Sequence, residues 1–165
     1  MFQVGDRVVY GIHGVCQITG VEERQVDRKM IRYFTLEPVD QPGAKFYVPS
    51  ENPAALAKLR HVISREELEE LLSTSKIRED CWIVDENRRK QRYRELITSG
   101  TRDELLQMVG TLHRHKKQQI AAGRKFHLCD ENFLRDAEKL LTAEFSMVLN
   151  IQPSEVGAYI INSIG

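Results

Sequence analysis

Residues 64–72 read SREELEELL. Ser64 and Glu67 have the spacing of a capping box: the hydroxyl takes a backbone N–H three residues on, and the glutamate reaches back. Leu68, Leu71 and Leu72 follow at the spacing of one apolar helix face. Upstream of Ser64 the apolar residues recur in short runs or at a period of two. The chain therefore changes its repeat here, and its two sides predict two kinds of structure.

On the upstream side, DRVVYG is a short apolar run after the Gly5-Asp6 turn signal. In GVCQITGVEER, from Gly14, Cys16 and Ile18 alternate with Gln17 and Thr19. MIRYFTLEPV, from Met30, is aromatic and branched, and KFYVP, from Lys45, ends at Pro49, which cannot donate to a ladder. Asp27-Arg28-Lys29 predicts a hairpin loop, and Gln41-Pro42-Gly43 suits a type II turn. Such a density of short strands with no helix between them predicts a small antiparallel barrel or strongly bent sheet.

On the downstream side, a helix is expected from about Asp85 to Thr98, with Tyr93, Leu96 and Ile97 on one face, ending near Ser99-Gly100. Thr101-Arg102-Asp103-Glu104 is a second capping box, and Leu105, Val109 and Leu112 continue at helical spacing to a stop before Gly123. Asp130 is expected to cap a long helix with Phe133, Ala137, Leu140, Leu141, Phe145, Val148 and Leu149 as its stripe. Pro153 fits the first turn of a last helix ending before Gly165. The expected class is α+β: a β-rich domain over residues 1–56 and an all-α domain over 64–165, with the boundary around 52–64.

The chain has 165 residues, 41% apolar and 29% charged, which fits a folded chain with no membrane partner. The N-terminus meets an acid at Asp6 and has no apolar core, so no secretory signal is expected. Three widely spaced cysteines, Cys16, Cys81 and Cys129, fit reduced thiols in a cytoplasmic protein, and a monomer is expected. The zero net charge hides a segregation. Residues 81–127 carry 11 bases and 5 acids, while 61–80 carry 3 and 6, and 128–165 carry 2 and 6. One basic segment thus lies between two acidic ones.

No phosphate-binding loop, dinucleotide fingerprint, nucleophile elbow or HExxH pair is present, so neither an enzyme nor a cofactor is expected. His113 and His115 are two apart on a helix and point in nearly opposite directions, so they cannot share an ion. His127 and Cys129 are too few for a closed zinc site, and no metal is expected. The basic segment is the informative feature. Arg88, Arg89, Lys90, Arg92 and Arg94 fall within two turns, Arg114, Lys116 and Lys117 near the end of the next helix, and Arg124 and Lys125 after it. Cations early in a helix oppose its dipole, and Arg88 with Arg92, or Lys90 with Arg94, puts cation beside cation. This favours an anionic partner: DNA or, alternatively, an acidic protein bound by an adaptor. Trp82, the single tryptophan, allows two readings. It is a core residue at the helix entry, or an apolar wedge of the kind that enters a DNA minor groove beside phosphate-binding cations.

The stretch VGDRVVYGIHG, Val4–Gly14, and the element Val48-Pro49-Ser50-Glu51-Asn52 resemble the CarD/CdnL family of bacterial transcription regulators. A looser likeness continues to Leu96-Ile97-Thr98-Ser99-Gly100 and beyond. The resemblance implies a Tudor-like β-domain that docks on the β subunit of RNA polymerase. It implies a helical domain that contacts promoter DNA at the upstream edge of the bubble and stabilises the open complex. A polymerase-contacting arginine of the family matches Arg24. Its second arginine, before Val-Pro, is Tyr47 here, and Lys45 lies on the same side of that strand. The family's groove-entering tryptophan stands directly before an Arg-Arg pair, whereas five residues separate Trp82 from Arg88-Arg89. The expected DNA contacts are Trp82, Arg88, Arg89, Lys90, Arg92, Lys116, Lys117, Arg124 and Lys125.

Overall fold

The computed structural model describes residues 1–164. The chain divides into two compact units, Met1–Ile63 and Ser64 onward.

The first unit is an open antiparallel sheet of five strands. They are β1 (Arg7–Tyr10), β2 (Val15–Val26), β3 (Lys29–Pro38), β4 (Phe46–Pro49) and β5 (Leu59–His61), in the spatial order β4-β3-β2-β1-β5. Of the two forms the sequence leaves open, the bent sheet is therefore the one adopted. A single turn, α1 (Pro53–Leu56), follows Asn52, whose side-chain oxygen accepts from Ala54 N and Ala55 N. The fifth strand corrects the expected end at residue 56. Leu59, Arg60 and His61 pair with Tyr10, Val9 and Val8 and close the far side of β1. Val8, Cys16, Ile18, Leu36, Val48 and Leu59 form the core, and Val9, Val15 and Thr35 beside them are buried as well.

Two features shape the sheet. The β2–β3 register slips between Ile18 and Gly20, a bulge that bends the pair. Beyond it the two strands run on as a ribbon. The connection is tighter than the three-residue loop expected, because Val26 pairs directly with Lys29. That leaves a two-residue turn with Asp27 at φ 49° and Arg28 at φ 67°. Left-handed geometry at both positions is the type I′ turn whose twist matches a hairpin, adopted here without glycine. Every residue from Val21 to Met30 is exposed, so the ribbon has no core on either face.

The second unit is helical: α2 (Arg65–Ser73), α3 (Glu86–Ser99), α4 (Arg102–Ala121), α5 (Leu128–Leu149) and α6 (Pro153–Ile164). Side-chain caps form at Ser64, Asp85 and Thr101, and of the two expected capping boxes the one at Thr101 is complete. Ser64 Oγ accepts from Glu67 N, Asp85 Oδ1 from Asn87 N and Arg88 N, and Thr101 with Glu104 forms a complete capping box. Gly100 joins α3 to α4 with an ordinary negative φ of −68°. Glycine is required there by space: an added Cβ would collide with the Leu96 carbonyl.

Asp130 is not the cap of α5. The helix starts two residues earlier, after His127, and Asp130 lies buried in its first turn. Its carboxylate faces Arg89 of α3, accepting from Nε at 3.0 Å and from Nη2 at 3.1 Å. One turn further along, Tyr93 meets Phe133 edge to face at 5.8 Å. These two contacts advance together along the chain, so α3 and α5 run parallel with their N-termini at one end. The pairs Arg92–Glu104 and Trp82–His115 make α4 antiparallel to α3. Arg102–Glu144 at 2.5 Å and Lys116–Glu131 at 2.8 Å make it antiparallel to α5. Val156, Ile160 and Ile164 of α6 complete the core with Leu106, Val109, Leu112, Leu141 and Phe145.

Candidate functional site

In the first unit the bent sheet brings Arg24 of β2 to Tyr47 of β4 across the intervening strand. The Arg24 guanidinium lies 4.1 Å from the centre of the Tyr47 ring. Glu22 holds it in place, accepting from Nε at 3.2 Å and from Nη2 at 3.0 Å. The Glu22 hydrogen bond also raises the Arg24 pKa above its ordinary value, so this cation stays charged. A guanidinium held over an aromatic ring and fixed by a carboxylate is preorganised for an anionic or carbonyl-rich partner. Lys45 lies one residue before β4 and is exposed.

The sequence reading missed an apolar component of the same unit. Met30, 63% exposed, stands at the rim of an open shelf lined by Ile31, Arg32, Pro49, Glu51 and Asn52. Because β4 reaches only as far as Tyr33, residues 29–31 of β3 have no strand on that side. The signal was present in MIRYF, whose first residue is a large apolar side chain at the start of a strand.

In the second unit the basic row separates into distinct roles. Arg89 is 3% exposed and is not available as a DNA contact. Besides Asp130, it donates from Nη1 to the Ile83 carbonyl at 2.9 Å and to the Val84 carbonyl at 3.4 Å. It is the clamp that fixes the loop entering α3. Lys90 pairs with Glu86, one turn back, at 3.1 Å. Arg92 lies 3.6 Å from Glu95 and 3.0 Å from Glu104. The acids that balance part of this row lie upstream, at i+3 and on α4. Arg88 and Arg94 are exposed with no ion pair among the described residues. Lys116 is half-buried against Glu131, while Lys117, Arg124 and Lys125 are exposed.

Trp82 is packed in the loop before α3, which corrects the picture of a free wedge. Its ring stacks on His115 of α4, with centres 4.0 Å apart and planes 13° from parallel, and takes the Arg89 guanidinium at 4.2 Å. Asp80 ties this stack at its base, receiving the Trp82 N–H at 2.7 Å and facing His115 Nε2 at 3.0 Å. Burial acts to raise the Asp80 carboxyl. The Trp82 N–H, His115 and the charge of Arg114 outweigh it and hold the carboxyl below its ordinary range. His113, two residues from His115, faces a different cleft, with Glu138 and Gly157.

Residues 2–63, nearly the whole of the first unit, match the family model of the CarD-like/TRCF RID domain. Over nearly its full length the chain is similar to a Bacillus subtilis protein named "Putative transcription factor YdeB". The two are 24% identical over 172 aligned residues, covering 96% of this chain and 99% of that protein.

Proposed function

We propose that the chain is a transcription factor of CarD type, which docks through its first unit on the β subunit of RNA polymerase and contacts promoter DNA through its second. The match of residues 2–63 to the RID domain carries this reading. The preorganised Arg24–Tyr47 pair, with exposed Lys45 just before β4, supports the polymerase contact. Arg88, Lys90, Arg92, Lys117, Arg124 and Lys125 supply the phosphate-binding charge, with half-buried Lys116 at the edge. Each fully neutralised phosphate steepens the salt dependence on duplex DNA by about 0.9 in log–log slope. So few contacts give weak binding alone, and tethering to polymerase raises the effective concentration at the promoter. Acting at the upstream edge of the bubble, in the cytoplasm and without a cofactor, such a protein lengthens the life of the open complex.

Binding of the whole chain to the isolated β-subunit lobe tests the first half. Arg24→Glu should weaken it by about thirtyfold, the scale of one interface hot spot. Unchanged affinity would remove Arg24 from the contact. A salt titration of DNA binding tests the second half: no measurable affinity at low salt, with or without polymerase, would point to an adaptor for an acidic protein.

A further inference from the structure

The end of the α4–α5 hairpin shows two large aliphatic side chains to solvent: Ile120 is 60% exposed and Leu128 73%. Their placement follows from one ion pair. Lys116 of α4 meets Glu131 of α5 at 2.8 Å, on one edge of the contact between these antiparallel helices. Ile120 stands one turn after Lys116, and Leu128 one turn before Glu131, so both steps lead along that edge toward the hairpin tip. Asp130 faces Arg89 of α3, and Leu128, two residues earlier, projects to the other side. The aliphatic pair therefore shares the flank that turns away from α3. Past Lys116–Glu131, going away from the tip, the flank opens into a cleft that His113 and Glu138 line with Gly157 and Asn162 of α6.

The flank has a cationic rim and a different interior. From Leu105 to Cys129 the chain carries five Lys or Arg and no Asp or Glu. Lys117, Arg124 and Lys125 are exposed there, without an ion pair among the described residues. Along the flank itself lie the carboxylates of Glu131 and half-buried Glu138. Burial, reinforced by Lys117, Lys116 and Arg114, lowers the His113 pKa, so the imidazole adds no positive charge at neutral pH. A phosphate backbone laid here would meet two carboxylates and offer Ile120 and Leu128 no apolar surface. A protein segment supplies aliphatic side chains for the centre, backbone N–H groups for Glu138 and carboxylates for the rim. An apolar centre within a polar rim is the ordinary anatomy of a protein interface. A patch this small binds weakly alone, so its partner is one already held nearby.

We propose that this flank is a docking surface for an acidic segment of the polymerase, which lays aliphatic side chains on Ile120 and Leu128 and carboxylates on Lys117, Arg124 and Lys125. The inference rests on the polymerase-docking reading above and adds a protein contact to the second unit. The DNA contact keeps Arg88, Lys90 and Arg92 of α3, while the segment and the phosphates compete for the three rim cations.

The test places the photo-crosslinker p-benzoylphenylalanine at Ile120 or at Leu128 of the full chain, in complex with polymerase and promoter DNA. Both positions should crosslink to a polymerase subunit, within a peptide rich in Asp and Glu. Ile120→Ser with Leu128→Ser should lower the affinity for polymerase by about tenfold and leave the affinity for promoter DNA alone unchanged. Both residues are exposed, and thermal melts check that the fold is retained. If the two positions crosslink to DNA only, or to nothing while the chain stays bound to polymerase, the flank contact is overturned and the docking reading stands. The same conclusion follows if the serine variant binds polymerase as the parent does. If the parent chain does not bind polymerase, the docking reading falls and this inference falls with it.

Discussion

The two units solve the problem of a unique core differently. In the sheet unit, Thr35 is the one buried polar side chain among the described residues. The helical unit buries Arg89, Asp130, Glu144 and Thr111. The reason lies in what sets register. Every strand is pinned to its neighbours by a ladder of backbone hydrogen bonds, and a slip by one residue would turn its apolar set outward. Helices satisfy their backbones internally and can slide past one another at little cost. Arg89–Asp130 and Arg102–Glu144 provide point attachments between α3, α4 and α5 that a stripe of leucines cannot. A buried ion pair adds little net stability because desolvation offsets its attraction, but a mismatched partner is costly.

The largest predicted effect separates these roles. Arg89→Ala leaves Asp130 buried without its partner and should destabilise the helical unit by about 3–5 kcal/mol in denaturant melts. Replacing both members with apolar residues, Arg89→Met with Asp130→Leu, should recover most of that loss. If the single and double variants lose stability equally, the pair is a net stabiliser and the comparison fails.

A smaller effect sharpens the sheet side. Arg28 holds a left-handed conformation that costs a non-glycine residue about 1–2 kcal/mol. Arg28→Gly should stabilise the first unit, by up to about 1 kcal/mol after glycine's greater entropy in the unfolded chain is set against it. A melting temperature at or below that of the parent would show that the turn is not strained.

The smallest effect concerns a helical-unit carboxylate with no such pairing. Burial raises the Glu138 pKa, with Lys116 opposing and Glu131 reinforcing the shift. A carboxyl raised in the folded state contributes stability below its unfolded pKa and loses it as pH rises through the folded value. At neutral pH the ionised Glu138 is therefore a mild liability. Glu138→Gln should raise the melting temperature slightly at pH 7, and the gain should vanish below the ordinary glutamate range. A gain that persisted at acid pH would place the cause elsewhere.

What could be read in advance was local. Ser64, Asp85, Thr101 and Pro153 announce helix starts through contacts within three or four residues, and the structure has helices at all four places. Leu59-Arg60-His61 went unread because three residues show no alternation, and only pairing with Val8, Val9 and Tyr10 makes them a strand. Asp130 looked like a cap because aspartate is common in that role. Its actual partner is 41 residues away in sequence. Trp82 and His115 are likewise joined only by the fold, so composition could place the indole beside cations but not on top of one. For the candidate site the sequence located the basic segment. Dividing it into a buried clamp, paired surface cations and unpaired ones required distances.

The ribbon beyond the β-bulge has a calorimetric consequence. Val21, Val26 and Met30 keep 44%, 39% and 63% of their surface exposed when the chain folds, so each adds less to the heat capacity of unfolding than a core residue does. Their apolar surface remains available for association. A partner that covers it gives a negative heat-capacity change on binding, and substituting these three residues reduces that change.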